Sequence, residues 1–326
     1  MLLTLCPVSA QDVIDRSLAR HDFLYAGEGK QQRIYIVKGG QVVWQWRNPQ
    51  GRGEISDAIL MKGHGSADKG SVLVAHQYGV CEVNISQTGT ASDVLWRYDA
   101  PPGTEIHTIQ PIGRKYVLFV QNGQPAKVVV MSIPDCQVVH EFEVPASEGV
   151  HGQFRNARLT TRGTLLLAHM GQDYVAEYSV EGNELARWKI PAPWSVSELD
   201  NEHLLFVGRG VVREIDRSNG QDKVVSEIKT AGYGIKSLQK AVRLKNGNTI
   251  VNDWLNEWRT PIDTLNAPVQ AIEIDKNGQV VWQLCAWKDP DLGPSTTIQP
   301  LDQAVNRDRL FFGHFNTRSS KQRKIK

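Results

Sequence analysis

What the chain lacks narrows its class before any motif is read. No apolar run approaches the roughly 18 to 20 residues that a membrane-crossing helix needs, so no transmembrane segment is expected. Neither sign of charge dominates: 37 lysines and arginines stand against 35 acidic residues, a formal +2. That balance supplies no global field for a phosphate backbone, and nucleic acid is not expected as a partner. Cysteine is scarce, 4 in 326 residues, and shows neither a Cys-x-x-Cys pair nor the His/Cys spacing of a structural metal site. Cys81, Cys136 and Cys285 read instead as small buried apolar side chains in strand-like segments. Long 3.6-residue apolar periodicity is missing too, which removes long amphipathic helices. What is present is 40% hydrophobic residues, 9 tryptophans and 28 glycines, enough apolar material for a packed core and too much for a disordered chain.

The first ten residues, MLLTLCPVSA, form a short apolar segment ending Val8-Ser9-Ala10, small residues where a signal peptidase reads. Residues 1–10 are therefore read as the remnant of a secretory signal, and an exported protein, periplasmic or extracellular, is expected. Residues 317–326 end in SSKQRKIK and read as a basic, solvated tail. Between them, 21–316 is expected to be one domain.

An internal repeat sets the architecture of that domain. Glu82 within Cys81-Glu82-Val83 is followed by Thr88-Gly89 and Val94-Leu95-Trp96; Glu273-Ile274 is followed by Asn277-Gly278 and Val280-Val281-Trp282. Weaker copies hold Glu177 with Gly182 and Trp188, and Glu214 with Asn219-Gly220 and Val224-Val225. Val42-Val43-Trp44 and Val138-Val139-His140 repeat the last strand without the glutamate. Units of about 40 to 50 residues, each with four short strands separated by Gly or Asn turns, are the pattern of a β-propeller blade. The expected fold is all-β: a six-bladed β-propeller of four-stranded antiparallel blades. The strand at Thr297–Leu301 would complete the blade begun near Phe23, so that no sheet edge stays open. A strand-like segment at 310–315 leaves seven blades as the alternative. Trp44, Trp96 and Trp282 recur at one blade position and are assigned to packing between blades.

The Thr-Gly or Asn-Gly turn followed by Val-Val-Trp resembles the repeat of quinoprotein-like propellers. Leu244-Lys245-Asn246-Gly247-Asn248-Thr249, with Glu273 and Trp282 after it, is similar to segments of bacterial arylsulfotransferase propellers, which are six-bladed and exported. That resemblance implies a catalytic histidine near the central channel, with arginine and asparagine holding sulfate. The larger, regular tryptophan-docked ring and the metal site of quinone-binding members have no counterpart in this sequence.

In a propeller the loop entering each first strand and the turn after each second strand share one face. The second-strand ends are Glu28, His76, Gln121, His169, Arg209 and Asp253, every one polar. The entering loops add Glu54, Ser56 and Asp57, then Glu105 and His107, then His151, Gln153, Arg155 and Asn156, with Trp194 and Lys240 later. The insertion after Asp253 adds Trp254 and Trp258. Histidine can act as base, nucleophile or metal ligand near neutral pH, and arginine can hold a carboxylate or sulfate. His107 and His151 are the candidate catalytic residues. Glu54, His76, Glu105, Arg155, Asn156, His169, Asp253, Trp254 and Trp258 are the candidate ligand-binding residues.

Three functions fit this face: binding of a carbohydrate or other anionic extracellular ligand, histidine-dependent catalysis of the arylsulfotransferase kind, and a scaffold for protein partners. No cofactor is required. A divalent metal such as Zn or Mn on His107, His151, His169 and Glu105 is the metal version of the same face.

Overall fold

A computed structural model describes residues 14–27, 30–63, 70–85, 93–256, 259–263, 265–266 and 268–316. The signal-remnant reading of 1–10 and the tail reading of 317–326 fall outside these residues. Six four-stranded antiparallel sheets form a ring of blades. The first blade joins β1 (Phe23–Ala26), β2 (Arg33–Lys38) and β3 (Gln41–Arg47) to the last strand of the chain, β24 (Thr297–Pro300). The second holds β4 (Asp57–Met61), β5 (Ser71–Ala75), β6 (Gly79–Asn84) and β7 (Val94–Asp99). The third holds β8 (Glu105–Ile112), β9 (Tyr116–Asn122), β10 (Ala126–Ser132) and β11 (Gln137–Val144). The fourth runs through β12 (Phe154–Leu159), β13 (Leu165–His169), β14 (Tyr174–Tyr178) and β15 (Glu184–Lys189). The fifth runs through β16 (Ser195–Glu198), β17 (His203–Gly208), β18 (Val211–Asp216) and β19 (Lys223–Lys229), and the sixth through β20 (Leu238–Arg243), β21 (Thr249–Asp253), β22 (Ala271–Ile274) and β23 (Val280–Leu284).

Position in the blade explains the residue patterns. Second strands such as β5 and β13 are buried along their whole length between neighbouring blades and read as unbroken apolar runs. Outer strands such as β7 alternate with the pleat. The ring closes as expected, with Phe23 opposite Pro300 and Ala26 opposite Thr297. Trp44 and Trp282 are buried and Trp96 partly so, each in an apolar cluster shared by two adjacent blades. Cys81 is buried in β6, which pushes its thiol up to about 12. Cys136 departs from the strand reading: it sits in the turn before β11 with φ +53, half-buried.

The repeated glutamate is a tie between segments. Glu177 accepts from Arg217 of the next blade at 2.9 Å, and Glu214 from Arg243 of the next blade at 2.6 Å. Glu273 meets His21 at 2.9 Å and Arg20 at 3.7 Å from the stretch entering the first blade, and Glu82 binds Arg307. Where the glutamate is missing, Ile36 and Val130 take its place opposite Trp44 and His140.

Segment 310–315 is neither a seventh blade nor a fourth strand. After β24 the chain runs across the ring: Val305 bridges Met61 of the second blade, Asp308 pairs with Arg114 of the third, and Gly313 donates to Gly163 of the fourth. Phe312 is fully buried in the core shared by the third and fourth blades. Gly163, at φ +75, lies so close to the Phe311 ring that a Cβ would collide with it.

Candidate functional site

The site is built from a defect repeated in the innermost strands. Antiparallel pairing lapses over His107 and Thr108 in β8, over Arg155 and Asn156 in β12, and over Gln239 and Lys240 in β20. At each place two residues oppose one, which is a β-bulge. Ser56 and Asp57 at the head of β4 both face Ala75 in the same way. A bulge turns two consecutive polar side chains out of the blade core and toward the channel at the centre of the ring.

Ser56, His107 and Arg155, the first members of three of these pairs, meet in one cluster. His107 Nε2 and His151 Nδ1 lie 2.8 and 2.7 Å from the same oxygen, Oε2 of Glu105. A carboxylate only accepts, so hydrogen-bond logic places a proton on each of those nitrogens and leaves His107 Nδ1 and His151 Nε2 with lone pairs. Arg155, which only donates, fits that assignment from the other side. Its guanidinium donates to His107 Nδ1 at 3.2 Å, to His151 Nε2 at 2.6 Å, and to Oε1 of Glu54. Ser56 Oγ lies 2.8 Å from His107 Nδ1, and Gln77 donates to Glu105 at 3.1 Å. Burial alone would raise the Glu105 carboxyl, but the hydrogen bonds from His107 and His151 outweigh it and hold it well below the ordinary range. His107 is fully buried, whereas the His151 side chain is 54% exposed and faces outward.

The second members of two of these pairs, Asp57 and Lys240, meet Arg158 in another cluster. Arg158 binds Asp57 with two bonds of 2.7 Å, and Lys240 Nζ reaches the same carboxylate at 3.2 Å. Burial opposes ionisation of Asp57, yet Arg158 and Lys240 together hold it down to about 2. Lys240 is pushed down to about 8, because burial outweighs the attraction of a carboxylate already shared with Arg158.

The first cluster opens into a cleft of roughly 970 Å³ on the face of the fourth to sixth blades. His151, Arg155, Trp194, Arg209, Lys236 and Trp254 line it. The Trp194 and Trp254 rings stand 6.2 Å apart at 44°, and the Arg155 guanidinium lies over Trp194 at 5.1 Å. Among the described residues Arg209 and Lys236 are exposed and form no ion pair.

Of the expected site residues, Glu54, Glu105, His107, His151 and Arg155 come together, and Trp254 joins them in the cleft. Three expected ligand-binding groups and one asparagine do not. His169 stacks on Tyr174 at 4.2 Å and bonds the Tyr178 hydroxyl at 3.0 Å, and burial pushes it down to about 4. It is therefore a neutral core histidine, and the expected metal set of His107, His151, His169 and Glu105 does not assemble. His76 is likewise buried and pushed down to about 4. Asp253 accepts from the backbone of Lys236 and Ser237, each at 2.8 Å, and so anchors the loop that carries Lys236. Asn156 accepts from the backbone of Val196 at 3.1 Å and stitches the fourth blade to the fifth. Trp258 and Glu28 lie outside the described residues. Arg158 and Lys236 were missed by sequence reasoning. A signal for the bulges was there: Ile55-Ser56-Asp57-Ala58, Ile106-His107-Thr108-Ile109, Phe154-Arg155-Asn156-Ala157 and Leu238-Gln239-Lys240-Ala241 share an apolar-polar-polar-apolar pattern that breaks strand alternation.

No family model matches the chain, and no curated protein does. Solved structures do. A protein of unknown function from Bacteroides caccae is similar with a TM-score of 0.69 at 22% identity, over 86% of this chain and 98% of that one. Virginiamycin B lyase from Staphylococcus aureus, as a catalytically inactive histidine-to-alanine variant with quinupristin, gives 0.54 at 12% identity, over 81% and 85%. The propeller domain of Myceliophteria thermophila Cps50 (Swd1) gives 0.56 at 11%, over 84% and 85%. At such identities the likeness establishes the fold: the chain is a six-bladed β-propeller.

Proposed function

We propose that the protein binds a small anionic ligand carrying a planar or sugar ring, of the uronate or aryl sulfate class, in the cleft before His151 and Arg155. The observation that carries this reading is the cleft wall itself: Arg209 and Lys236, which form no ion pair among the described residues, line the cleft together with Trp194 and Trp254. An exposed guanidinium takes a carboxylate or sulfate in a two-bond fork, and an aromatic face takes the ring. A ligand at about 100 times its dissociation constant stabilises the fold by roughly 2.7 kcal/mol. Calorimetry with glucuronate and phenyl sulfate, against glucose and phenol, tests the reading. The anions are expected to bind and the neutral analogues not to, with binding lost in an Arg209→Ala/Lys236→Ala variant. Equal binding of anion and neutral analogue, or no binding by either anion at millimolar concentration, would contradict it.

A second reading, histidine-dependent turnover of such a ligand, is favoured by His151. Its Nδ1 proton is held by Glu105, and its Nε2, which accepts from Arg155, becomes a base or nucleophile when that guanidinium turns to the ligand. The staphylococcal lyase, inactive as a histidine-to-alanine variant, is a precedent for histidine chemistry on this kind of ring. The resemblance to arylsulfotransferases makes a chromogenic aryl sulfate the first substrate to try. Turnover abolished by His151→Ala and by His107→Ala supports the reading, and indifference to both ends it. Export belongs to the same proposal on the strength of residues 1–10; detection of the chain in the cytoplasmic fraction alone would refute it.

A further inference from the structure

We propose that Glu54, His107 and His151 form a divalent-cation site for a metal of the zinc or manganese class, in which the Arg155 guanidinium is the exchangeable occupant. The ligand atoms are Glu54 Oε1, His107 Nδ1 and His151 Nε2, which all lie within 4.8 Å of one another. Oε1 is 3.2 Å from Nδ1 and 4.0 Å from Nε2. A tetrahedral ion with bonds of about 2.1 Å requires donor atoms about 3.4 Å apart, so the Glu54–His107 pair stands near that spacing and His151 has to move in by well under 1 Å toward Glu54. Two imidazoles and one carboxylate suit borderline metals and leave a position open, as catalytic zinc sites do.

The surroundings carry the same inference independently. Metal-binding histidines donate their second ring N–H to a carboxylate, which fixes the ring and raises its basicity. Here one oxygen of Glu105 takes the second N–H of both rings. A cation is seated between the three ligand atoms: the guanidinium, whose two terminal nitrogens touch all of them. That seat does not satisfy the arginine. Arg155 is 6% exposed, and its buried Nε has no hydrogen-bond partner among the described residues. The face of Trp194, 5.1 Å from the guanidinium carbon, and the cleft beyond it provide a second position for the side chain. Glu105 is a positioning residue in this scheme, and Arg155 a competitor.

The competition makes the proposal testable with the full, untagged chain after dialysis against a chelator. Calorimetric titration with zinc chloride is expected to show one ion per chain. Cobalt(II) is expected to give a visible ligand-field band that is absent in His151→Ala, a variant whose half-exposed side chain can be removed without opening the core. Glu105→Gln should weaken zinc by about 10- to 100-fold through loss of ring positioning. Arg155→Met, checked for folding by circular dichroism, should bind zinc more tightly than the wild type. The proposal is overturned by zinc binding that His151→Ala leaves unchanged, by an absence of stoichiometric binding in the wild type, or by a folded Arg155→Met chain with no gain in affinity. None of these outcomes depends on an anionic ligand, so this site and the anion reading fail separately.

Discussion

Arg155 and Arg158 sit three residues apart on β12, and the contrast between them separates what holds this ring together from what it offers to a ligand. Arg158 is fully paired: both of its terminal nitrogens are bonded to Asp57, and Lys240 shares that carboxylate, so two cations stand against one anion. Arg155 meets one carboxylate and two imidazole nitrogens, and it borders a cleft lined by further cations and two indoles. The bulge between Phe154 and Ala157 is what brings both side chains to the channel, because three positions apart on an unbroken strand would point to opposite faces. One strand thus carries a structural clamp and a ligand-facing group, and the residue type alone does not distinguish them. Their acceptors do.

The clamp predicts the largest effect. Asp57→Ala leaves Arg158 and Lys240 in the channel with no counter-charge, and it should cost about 3–5 kcal/mol in a urea titration. A loss below about 1 kcal/mol would mean that the channel is wet enough to make the clamp dispensable. The histidines sharpen the same contrast at the next level. His76 and His169 stay neutral in the fold down to about pH 4, while their unfolded counterparts take up protons below about 6.5. The unfolded chain therefore binds more protons between those values, and stability falls as the pH drops through that window. For His169 the loss amounts to about 3 kcal/mol across the whole window, and a His169→Gln variant should show a correspondingly shallower acid slope. Asp57 acts lower on the scale. Its carboxyl titrates near 2 in the fold against 3.8 when free, so its contribution of about 2 kcal/mol is complete above pH 4 and disappears as the pH falls through 2. The smallest stability effect belongs to His151. Its side chain is half exposed but bonds Glu105 and Arg155, so His151→Ala should change the unfolding free energy by about 1 kcal/mol, while altering ligand or metal binding.

The ring was legible because its signals are local. Val-Val-Trp or a partial copy of it marks most outer strands, and in the second, fourth, fifth and sixth blades the glutamate before it ties the blade to an arginine of another segment. The site was legible in its members and not in its grouping. Glu54, Glu105, His107, His151 and Arg155 were found because they stand where loops enter inner strands. His76 and His169 stand at equivalent-looking positions and are buried. A strand-end histidine faces the cleft or the core according to the packing beside it, here Tyr174 and Tyr178 around His169. Lys236 reaches the cleft on a loop pinned by Asp253, a bond between side chain and backbone that no spacing rule announces. Arg158 follows an apolar-polar-polar-apolar run whose bulge resets the facing of the strand, and reading that run as a bulge would have found it.

The central claim is that Arg155 serves the cleft and Arg158 serves the fold. The most direct measurement is the affinity for phenyl sulfate of Arg155→Met and Arg158→Met, each at a urea-free temperature where circular dichroism shows the chain folded. The account predicts that Arg155→Met weakens binding by tenfold or more, about 1.4 kcal/mol, and that Arg158→Met leaves it unchanged while lowering the unfolding midpoint. Equal affinities in the two variants, or a larger loss in Arg158→Met, would contradict it.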